Sequence, residues 1–134
     1  MAIKVMVVDD SMMMRKMIKN IISADPGLEI VGDAANGEVA LEKVKDLNPD
    51  VILLDIEMPV MDGIEFMKAY STFGTGKIVI LSSVAQAGSS AAMEARQLGA
   101  TDVIPKPSGG ISLDLEQKKG HDIVKAVHKA VESH

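Results

Sequence analysis

The chain contains no cysteine and no tryptophan, and Phe66, Tyr70 and Phe73 are its only aromatic residues. Without cysteine it has no disulfide, no thiol nucleophile and no thiolate metal ligand. Three aromatic rings offer few surfaces on which nucleobases could stack. Lysine and arginine total 14 against 19 acidic residues, so the net charge of −5 also disfavours a polyanion. We therefore expect no direct binding of nucleic acid.

Long hydrophobic runs are missing as well. No apolar segment approaches the roughly 18 residues that a membrane-spanning helix needs. Met1 leads directly into a short apolar strand, without the apolar region and small-residue cleavage site of a signal peptide. We therefore expect a soluble, cytoplasmic protein without membrane insertion. Because one domain typically takes about 150 residues, residues 1–134 are predicted to form a single domain.

Short apolar runs alternate with longer segments of helical spacing, a pattern typical of βαβ units in a parallel sheet. The predicted strands are Ile3 to Val8, Glu29 to Gly32, Val51 to Leu54, Lys77 to Leu81 and Asp102 to Pro105. The predicted helices are Met12 to Ser23, Gly37 to Leu47, Gly63 to Ser71, Ser89 to Leu98 and His121 to Ser133. The stretch Pro107 to Gly120 is predicted to be a long loop.

The composition of the strands indicates their place in the sheet. Val5 to Val8, Val51 to Leu54 and Ile78 to Leu81 are apolar without alternation, as strands covered on both faces should be. These three are predicted to be central. Pro105 removes a backbone donor, which is tolerated at an edge, so the last strand is predicted to lie at the margin.

Polar groups follow four of these strands, at the end where open α/β sheets bind their ligands. The strand ends read Asp9-Asp10-Ser11, Asp55-Ile56-Glu57, Ser82-Ser83 and Lys106-Pro107. A single acid at a strand end could simply be solvated there. Three acids from two strands favour a site instead.

If the first and third strands are neighbours, Asp9, Asp10 and Asp55 converge and repel one another unless a cation neutralises them. Carboxylates without histidine or thiolate suit Mg²⁺, with Mn²⁺ as a second possibility. Lys106 and the Ser82 hydroxyl would then offer a positive charge and a donor to phosphoryl oxygens. Together these groups suit the transfer of a phosphoryl group onto an aspartate.

Other motifs for phosphate or acyl chemistry are absent. The sequence has no Gly-x-Gly-x-x-Gly after its first strand and no Gly-x-x-x-x-Gly-Lys, so nucleotide binding lacks its usual signals. It also has no Gly-x-Ser-x-Gly, so its serines lack the context of a hydrolase nucleophile.

Four segments, taken in their order and spacing, resemble the receiver domain of two-component response regulators. They are Val8-Asp9-Asp10-Ser11, the run from Leu54 to Gly63, Leu81-Ser82-Ser83, and Gly99-Ala100 followed by Pro105-Lys106-Pro107. The resemblance covers nearly the whole chain. It implies a flavodoxin-like (βα)5 fold, a three-layer sandwich with parallel strand order 2-1-3-4-5.

The resemblance also implies a role for each site residue. Asp55 would accept a phosphoryl group from the phosphohistidine of a histidine kinase or from a small acyl phosphate. Asp10, Asp55 and the backbone carbonyl of Glu57 would hold Mg²⁺, and Asp9 would assist through water. Lys106 would contact the phosphoryl oxygens, while Ser82 would move toward them.

Two further expectations concern the last strand. Members of this family tend to have a cis bond at the Lys-Pro step, so we expect a cis Lys106-Pro107 bond. They also usually carry an aromatic residue three positions before the lysine, where this chain has Val103. Valine has no comparable rotamer change, so we expect the fourth helix and its flanking loop to signal through a backbone shift.

Within the family, the segments around Asp55 and from Lys106 to Leu115 are similar to the receiver half of the chemotaxis protein-glutamate methylesterase. No methylesterase domain is expected in these residues, so the chain is either a fragment or a stand-alone chemotaxis regulator. Its expected output is a phosphorylation-dependent docking surface for a chemotaxis or flagellar component, or for a fused or lost effector.

Three functions remain open from the sequence. The first is a switch that catalyses only its own phosphorylation, with or without its own dephosphorylation. The second is a phosphatase like the haloacid dehalogenases, in which the nucleophilic aspartate normally follows the first strand and not the third. The third is a docking scaffold that is never phosphorylated.

Overall fold

A computed structural model describes residues 2–83, 88–107 and 113–132, and strands and helices alternate through them. The strands are β1 (Ile3–Val8), β2 (Leu28–Ala34), β3 (Val51–Asp55), β4 (Lys77–Ser82) and β5 (Asp102–Pro105). The helices are α1 (Met12–Ser23), α2 (Gly37–Leu47), α3 (Gly63–Tyr70), α4 (Ser90–Gln97) and α5 (Leu113–Glu132). The alternation predicted from the sequence is confirmed.

The strands form one parallel sheet in the order β2-β1-β3-β4-β5. The predicted flavodoxin-like order is therefore confirmed. β1, β3 and β4 are interior strands, and β5, which contains Pro105, lies at an edge, as the composition predicts. Because β1 and β3 are neighbours, their carboxyl ends lie side by side.

Helices cover both faces of the sheet, which explains why the central strands are apolar without alternation. Met6 and Val8 pack in a cluster with α2, α3 and α4, whereas Val5 and Val7 pack with α1 and α5. All four side chains are at most 1% exposed. The fold is thus a three-layer sandwich with a core on each side of the sheet.

Four helices begin at residues whose side chains accept a hydrogen bond from a backbone amide three positions later. These N-caps are Ser11, Asn36, Asp62 and Ser89. Such caps satisfy amides that have no partner within the helix. Ser11 starts α1 three residues after β1 ends, which keeps the intervening acids at the edge of the sheet.

Two expectations about the last part of the chain are wrong. α5 begins at Leu113, so residues 113–120 of the predicted loop are helical, and residues 108–112 lie outside the described residues. The glutamate, glutamine and lysine residues at the start of α5 favour a helix. Gly120, in the interior of α5, lowers helix stability by only about 1 kcal/mol relative to alanine. No peptide bond in the described ranges is cis, so the Lys106–Pro107 bond is trans, the isomer that X-Pro bonds ordinarily favour.

In the described ranges, no helix is both long and apolar enough to span a membrane. α5, at 20 residues, has the length but carries charged residues along it.

Candidate functional site

The candidate site lies at the carboxyl edge of the sheet, where β1 and β3 end together. Val8 pairs with Leu54, so Asp9 and Asp55, each one position further on, leave the sheet side by side. Asp55 is the last residue of β3, and Leu81 of β4 is its partner on the other side. Parallel pairing therefore brings together residues that are 46 positions apart in the sequence.

Three carboxylates converge at this edge. Asp9, Asp10 and Asp55 each place one oxygen within 4.8 Å of the other two. Asp9 and Asp55 are 1% and 3% exposed, while Asp10 is exposed. This is the cluster that the sequence predicts, and we call these three residues the acidic cluster.

Lys106 brings a positive charge to the acidic cluster from the far side of β4. Its ammonium nitrogen lies 2.9 Å from Asp9 Oδ2 and 3.1 Å from Asp55 Oδ2. Its backbone amide donates to the carbonyl of Ser82, 2.8 Å away, which fixes the residue directly after β5. One ammonium group therefore serves two buried carboxylates.

The electrostatics of Asp55 follow from this unequal pairing. Burial raises the pKa of Asp55 to about 6, the Lys106 ammonium opposes that rise, and the charges of Asp9 and Asp10 add to it. For Lys106, burial alone would lower the pKa, but the hydrogen bond to Asp9 and the charge of Asp55 outweigh it and raise the pKa. Lys106 is therefore protonated at neutral pH, and the ionised Asp55 lacks full compensation.

Within the described residues, two buried side-chain atoms at this edge have neither a hydrogen bond nor an ion pair. Asp55 Oδ1 and Ser82 Oγ have no hydrogen-bond partner among the residues that the structure describes. Ser82 ends β4 and follows Leu81, the β4 partner of Asp55. Because buried polar atoms nearly always find a partner, one free carboxylate oxygen and one free hydroxyl fit a site that binds a ligand. An all-oxygen donor set beside them suits Mg²⁺.

The β3–α3 segment folds tightly beneath the site. The amide of Gly63 donates to the carbonyl of Ile56 over 2.7 Å, and a Cβ at Gly63 would clash with the carbonyl oxygen of Asp55. Glu57, the predicted source of a metal-binding carbonyl, is an exposed residue of this segment. Val60, also exposed, has a left-handed backbone with φ of 70°.

One residue of the site was not found from the sequence. Arg15 donates from Nη1 to the backbone carbonyl of Asp9 over 2.7 Å and from Nε to Asp33 Oδ2 over 2.9 Å. Both acceptors lie at the ends of neighbouring strands. An arginine in the first turn of a helix that follows an acidic strand end is a weak signal, because its acceptors depend on the tertiary fold.

A parallel sheet of order 2-1-3-4-5, with acids at the ends of β1 and β3 and a lysine directly after β5, defines a receiver domain. The comparison with protein families agrees, because the model described as the response regulator receiver domain matches residues 5–129. The chain belongs to this family. The match gives no support to a phosphatase of the haloacid dehalogenase type.

The chain is also similar in sequence to protein-glutamate methylesterases. The chain is 56% identical over 115 residues to a protein-glutamate methylesterase/protein-glutamine glutaminase of Halalkalibacterium halodurans, covering 86% of this chain and 33% of that protein. It thus spans about a third of the length of the curated relatives it matches.

Solved structures give the same fold over the full length of the chain. The response regulator domain of Thermotoga maritima CheB is 37% identical with a TM-score of 0.89, covering 100% of this chain and 99% of that one. A crystal structure of the P1 domain of CheA3 in complex with CheY6 from R. sphaeroides matches at 42% identity and a TM-score of 0.81, covering 98% of each chain.

Proposed function

We propose that the protein is a phosphorylation-dependent switch in which Asp55 is the phosphoryl acceptor. The observation that carries the proposal is the position of its carboxylate, buried at the carboxyl edge of the sheet. Its Oδ2 lies 3.1 Å from the Lys106 ammonium, and its Oδ1 has no hydrogen-bond partner among the described residues. An oxygen with no hydrogen bond keeps its lone pairs available to attack phosphorus.

The donor is proposed to be the phosphohistidine of a histidine kinase, or a small acyl phosphate. A carboxylate oxygen of Asp55 forms the new O–P bond while the P–N bond of the phosphohistidine breaks. The electron pair of that bond stays on the imidazole, and the product on Asp55 is an acyl phosphate. Lys106, already placed between two carboxylates, stabilises the charge on the transferred phosphoryl oxygens.

Asp10, Asp55 and the backbone carbonyl of Glu57 would hold a Mg²⁺ ion, with Asp9 assisting through water and Mn²⁺ as a substitute. Receiver domains generally bind Mg²⁺ at an acidic pocket, and the acidic cluster of this chain offers only oxygen ligands. When bound, the ion supplies positive charge that neutralises the carboxylates and the incoming phosphoryl group.

The signal is proposed to leave the site through Ser82. Its buried hydroxyl has no partner in the described part of the chain and can donate to a phosphoryl oxygen once one is present. Val103 is buried, 8% exposed, in the same core cluster as α4 residues Ala92 and Ala95. Because valine lacks the rotamer change of an aromatic ring, we propose that α4 moves as backbone. The same prediction for the flanking loop falls on residues 84–87, which lie outside the described residues.

The partners follow from the family and from charge. Receiver domains are phosphorylated by histidine kinases, and the similar CheY6 was crystallised with the P1 domain of CheA3, which supports a chemotaxis kinase as donor. The net charge of −5 favours a protein target over nucleic acid. We propose a cytoplasmic chemotaxis role whose target is a chemotaxis or flagellar component, or a methylesterase effector like that named for the relatives.

Intact mass after incubation with a small acyl phosphate and Mg²⁺ tests the proposal. We expect one added phosphoryl group in the wild-type protein and in Asp46→Asn, which removes an exposed acid at the end of α2, next to the start of β3 and so at the opposite edge of the sheet from the site. We expect none in Asp55→Asn or without the metal. A phosphoryl group that persists in Asp55→Asn would show another acceptor, and none in any sample would favour the docking scaffold.

A phosphatase is distinguished by turnover. The proposed switch takes its phosphoryl group from a phosphohistidine or an acyl phosphate and does not release phosphate steadily from added phosphate esters. Sustained multiple turnover that disappears in Asp55→Asn would contradict the switch.

A further inference from the structure

Arg15 connects the ends of β1 and β2. Its side chain is 15% exposed, and its guanidinium donates from Nε to Asp33 Oδ2 and from Nη1 to the backbone carbonyl of Asp9, over 2.9 and 2.7 Å. Asp33 lies near the end of β2, directly beside the end of β1. The planar fork of arginine is suited to holding two acceptors at once.

Each polar group of Asp9 has a defined contact. Its amide donates to the carbonyl of Ala34 over 3.1 Å, and its Oδ1 accepts from the amide of Ser11 over 2.9 Å. Its Oδ2 lies 2.9 Å from the Lys106 ammonium, and Arg15 supplies the donor for its carbonyl. Among these contacts, the one from Arg15 acts on the peptide that leads out of the strand.

That peptide joins Asp9 to Asp10 and is planar, so a donor that fixes its carbonyl oxygen also fixes its amide side. The direction in which Asp10 leaves β1 is thereby set. Asp10 is the exposed member of the acidic cluster, so packing constrains its side chain less than it constrains Asp9 or Asp55. The orientation of its backbone therefore matters most for where its carboxylate lies.

We propose that Arg15 is a positioning residue for the acidic cluster, with Asp33 as the partner that orients its guanidinium. By holding the Asp9 carbonyl, Arg15 keeps the carboxylates of Asp9 and Asp10 close to that of Asp55. The inference rests on the proposed function only in taking Mg²⁺ as the ligand of the acidic cluster. The contacts of Arg15 with Asp9 and Asp33 are made within the chain and need no ligand. Groups that orient metal ligands typically change metal affinity by about 10- to 100-fold when they are removed.

Lys19 provides a matched control on the same helix. Its ammonium lies 3.5 Å from the same Asp33 oxygen that Arg15 contacts. The side-chain donor to the Asp9 carbonyl in the described structure is Arg15, not Lys19. Lys19→Met therefore removes the same charge next to the same acid as Arg15→Met, but leaves the Asp9 carbonyl with its donor.

Two measurements on these variants test the proposal. In isothermal titration calorimetry with Mg²⁺, we expect Arg15→Met to bind about tenfold more weakly than wild type, and Lys19→Met to bind like wild type. In the metal-free protein, NMR of amide–water exchange should show the Ser11 amide exchanging about threefold faster in Arg15→Met, because Asp9 Oδ1 holds it less firmly. Arg15→Lys, which keeps the charge but not the fork, should restore only part of either effect.

Equal Mg²⁺ affinities and equal Ser11 exchange in Arg15→Met and Lys19→Met would overturn the proposal. If Arg15→Met does not fold, Asp33→Ala replaces it, since that variant keeps the guanidinium and removes the side-chain acceptor that orients it. A wild-type protein that binds no Mg²⁺ would instead contradict the proposed function. In that case the Ser11 exchange in the metal-free variants still decides the role of Arg15.

Discussion

Lys106 reaches Asp55 across the end of β4, with the ammonium nitrogen 3.1 Å from Asp55 Oδ2 although their strands are not neighbours. The same ammonium lies 2.9 Å from Asp9 Oδ2. The pair is therefore part of a buried group with two negative charges and one positive charge. Without a further cation, such a group destabilises the fold more than a balanced ion pair would, because burying an unpaired charge has a high free-energy cost.

The stability of the metal-free protein should fall as pH rises through the pKa of Asp55. Burial raises that pKa from 3.8 to about 6, so between these values the folded state holds more protons than the unfolded state. The free energy of unfolding should therefore decrease between about pH 4 and pH 6, by up to about 3 kcal/mol from this group. Asp55→Asn should remove that decrease.

Urea unfolding at pH 4.5 and pH 7.5 with a metal chelator measures this effect. The expected result is a stability gain for Asp55→Asn that is larger at the higher pH. Asp46→Asn serves as the control for the loss of one negative charge from the surface. A gain for Asp55→Asn that is the same at both pH values would show that the carboxyl group titrates normally.

Replacing Lys106 should have the opposite effect. Lys106→Met leaves Asp9 and Asp55 buried without their cation, and removing one partner from a buried ion pair typically costs about 3–5 kcal/mol. We expect the free energy of unfolding at pH 7.5 to fall by about that amount, and less at pH 4.5, where Asp55 is protonated. Urea unfolding checks this, with exposed Lys118→Met as the control. Equal losses at both pH values would mean that packing, not charge, accounts for the effect.

The sequence predicts that Lys106 and the acidic cluster meet because they stand at the ends of buried strands. Asp9, Asp55 and Lys106 occupy strand ends, and a parallel sheet brings such ends to one edge whatever the details of packing. The contact of Arg15 with Asp33 could not be predicted in the same way. The two residues are 18 positions apart, and their contact depends on how α1 lies against β2.

The start of α5 shows where local signals mislead. Gly120 and the charged residues before it suggest a loop ahead of His121, yet the helix runs through them. Gly120 lies against Ile21 of α1, where a Cβ would be at ordinary contact distance, so the glycine is not required by a turn. Packing of α5 against α1 outweighs the small helix penalty of one glycine.

Gly63 should be intolerant of any side chain. A Cβ there would clash with the carbonyl oxygen of Asp55 and lie 2.9 Å from Ile56 Cα, and neither backbone atom can move without a large free-energy cost. We expect Gly63→Ala to lower the free energy of unfolding by about 2–3 kcal/mol and to slow phosphorylation by displacing Asp55. Thermal unfolding and the rate of mass gain with an acyl phosphate measure the two effects.

Gly88→Ala is the matched control, because a Cβ at Gly88 would meet no atom of the described residues within 4 Å. That variant should be close to wild type in stability and in phosphorylation rate. If Gly63→Ala behaved like it, the tight approach of α3 to the end of β3 would have no role in placing Asp55.

Val60 should carry removable backbone strain. It is 73% exposed, so it gains little from packing, and its φ of 70° is a conformation that costs a residue with a Cβ about 1–2 kcal/mol. Asparagine tolerates this region, so we expect Val60→Asn to raise the free energy of unfolding by about 1 kcal/mol, as measured by urea denaturation. Val60→Thr keeps the branched Cβ while adding polarity, and it should give no such gain. If threonine stabilised the protein as much as asparagine, the gain would come from surface polarity, and the backbone at Val60 would not be strained.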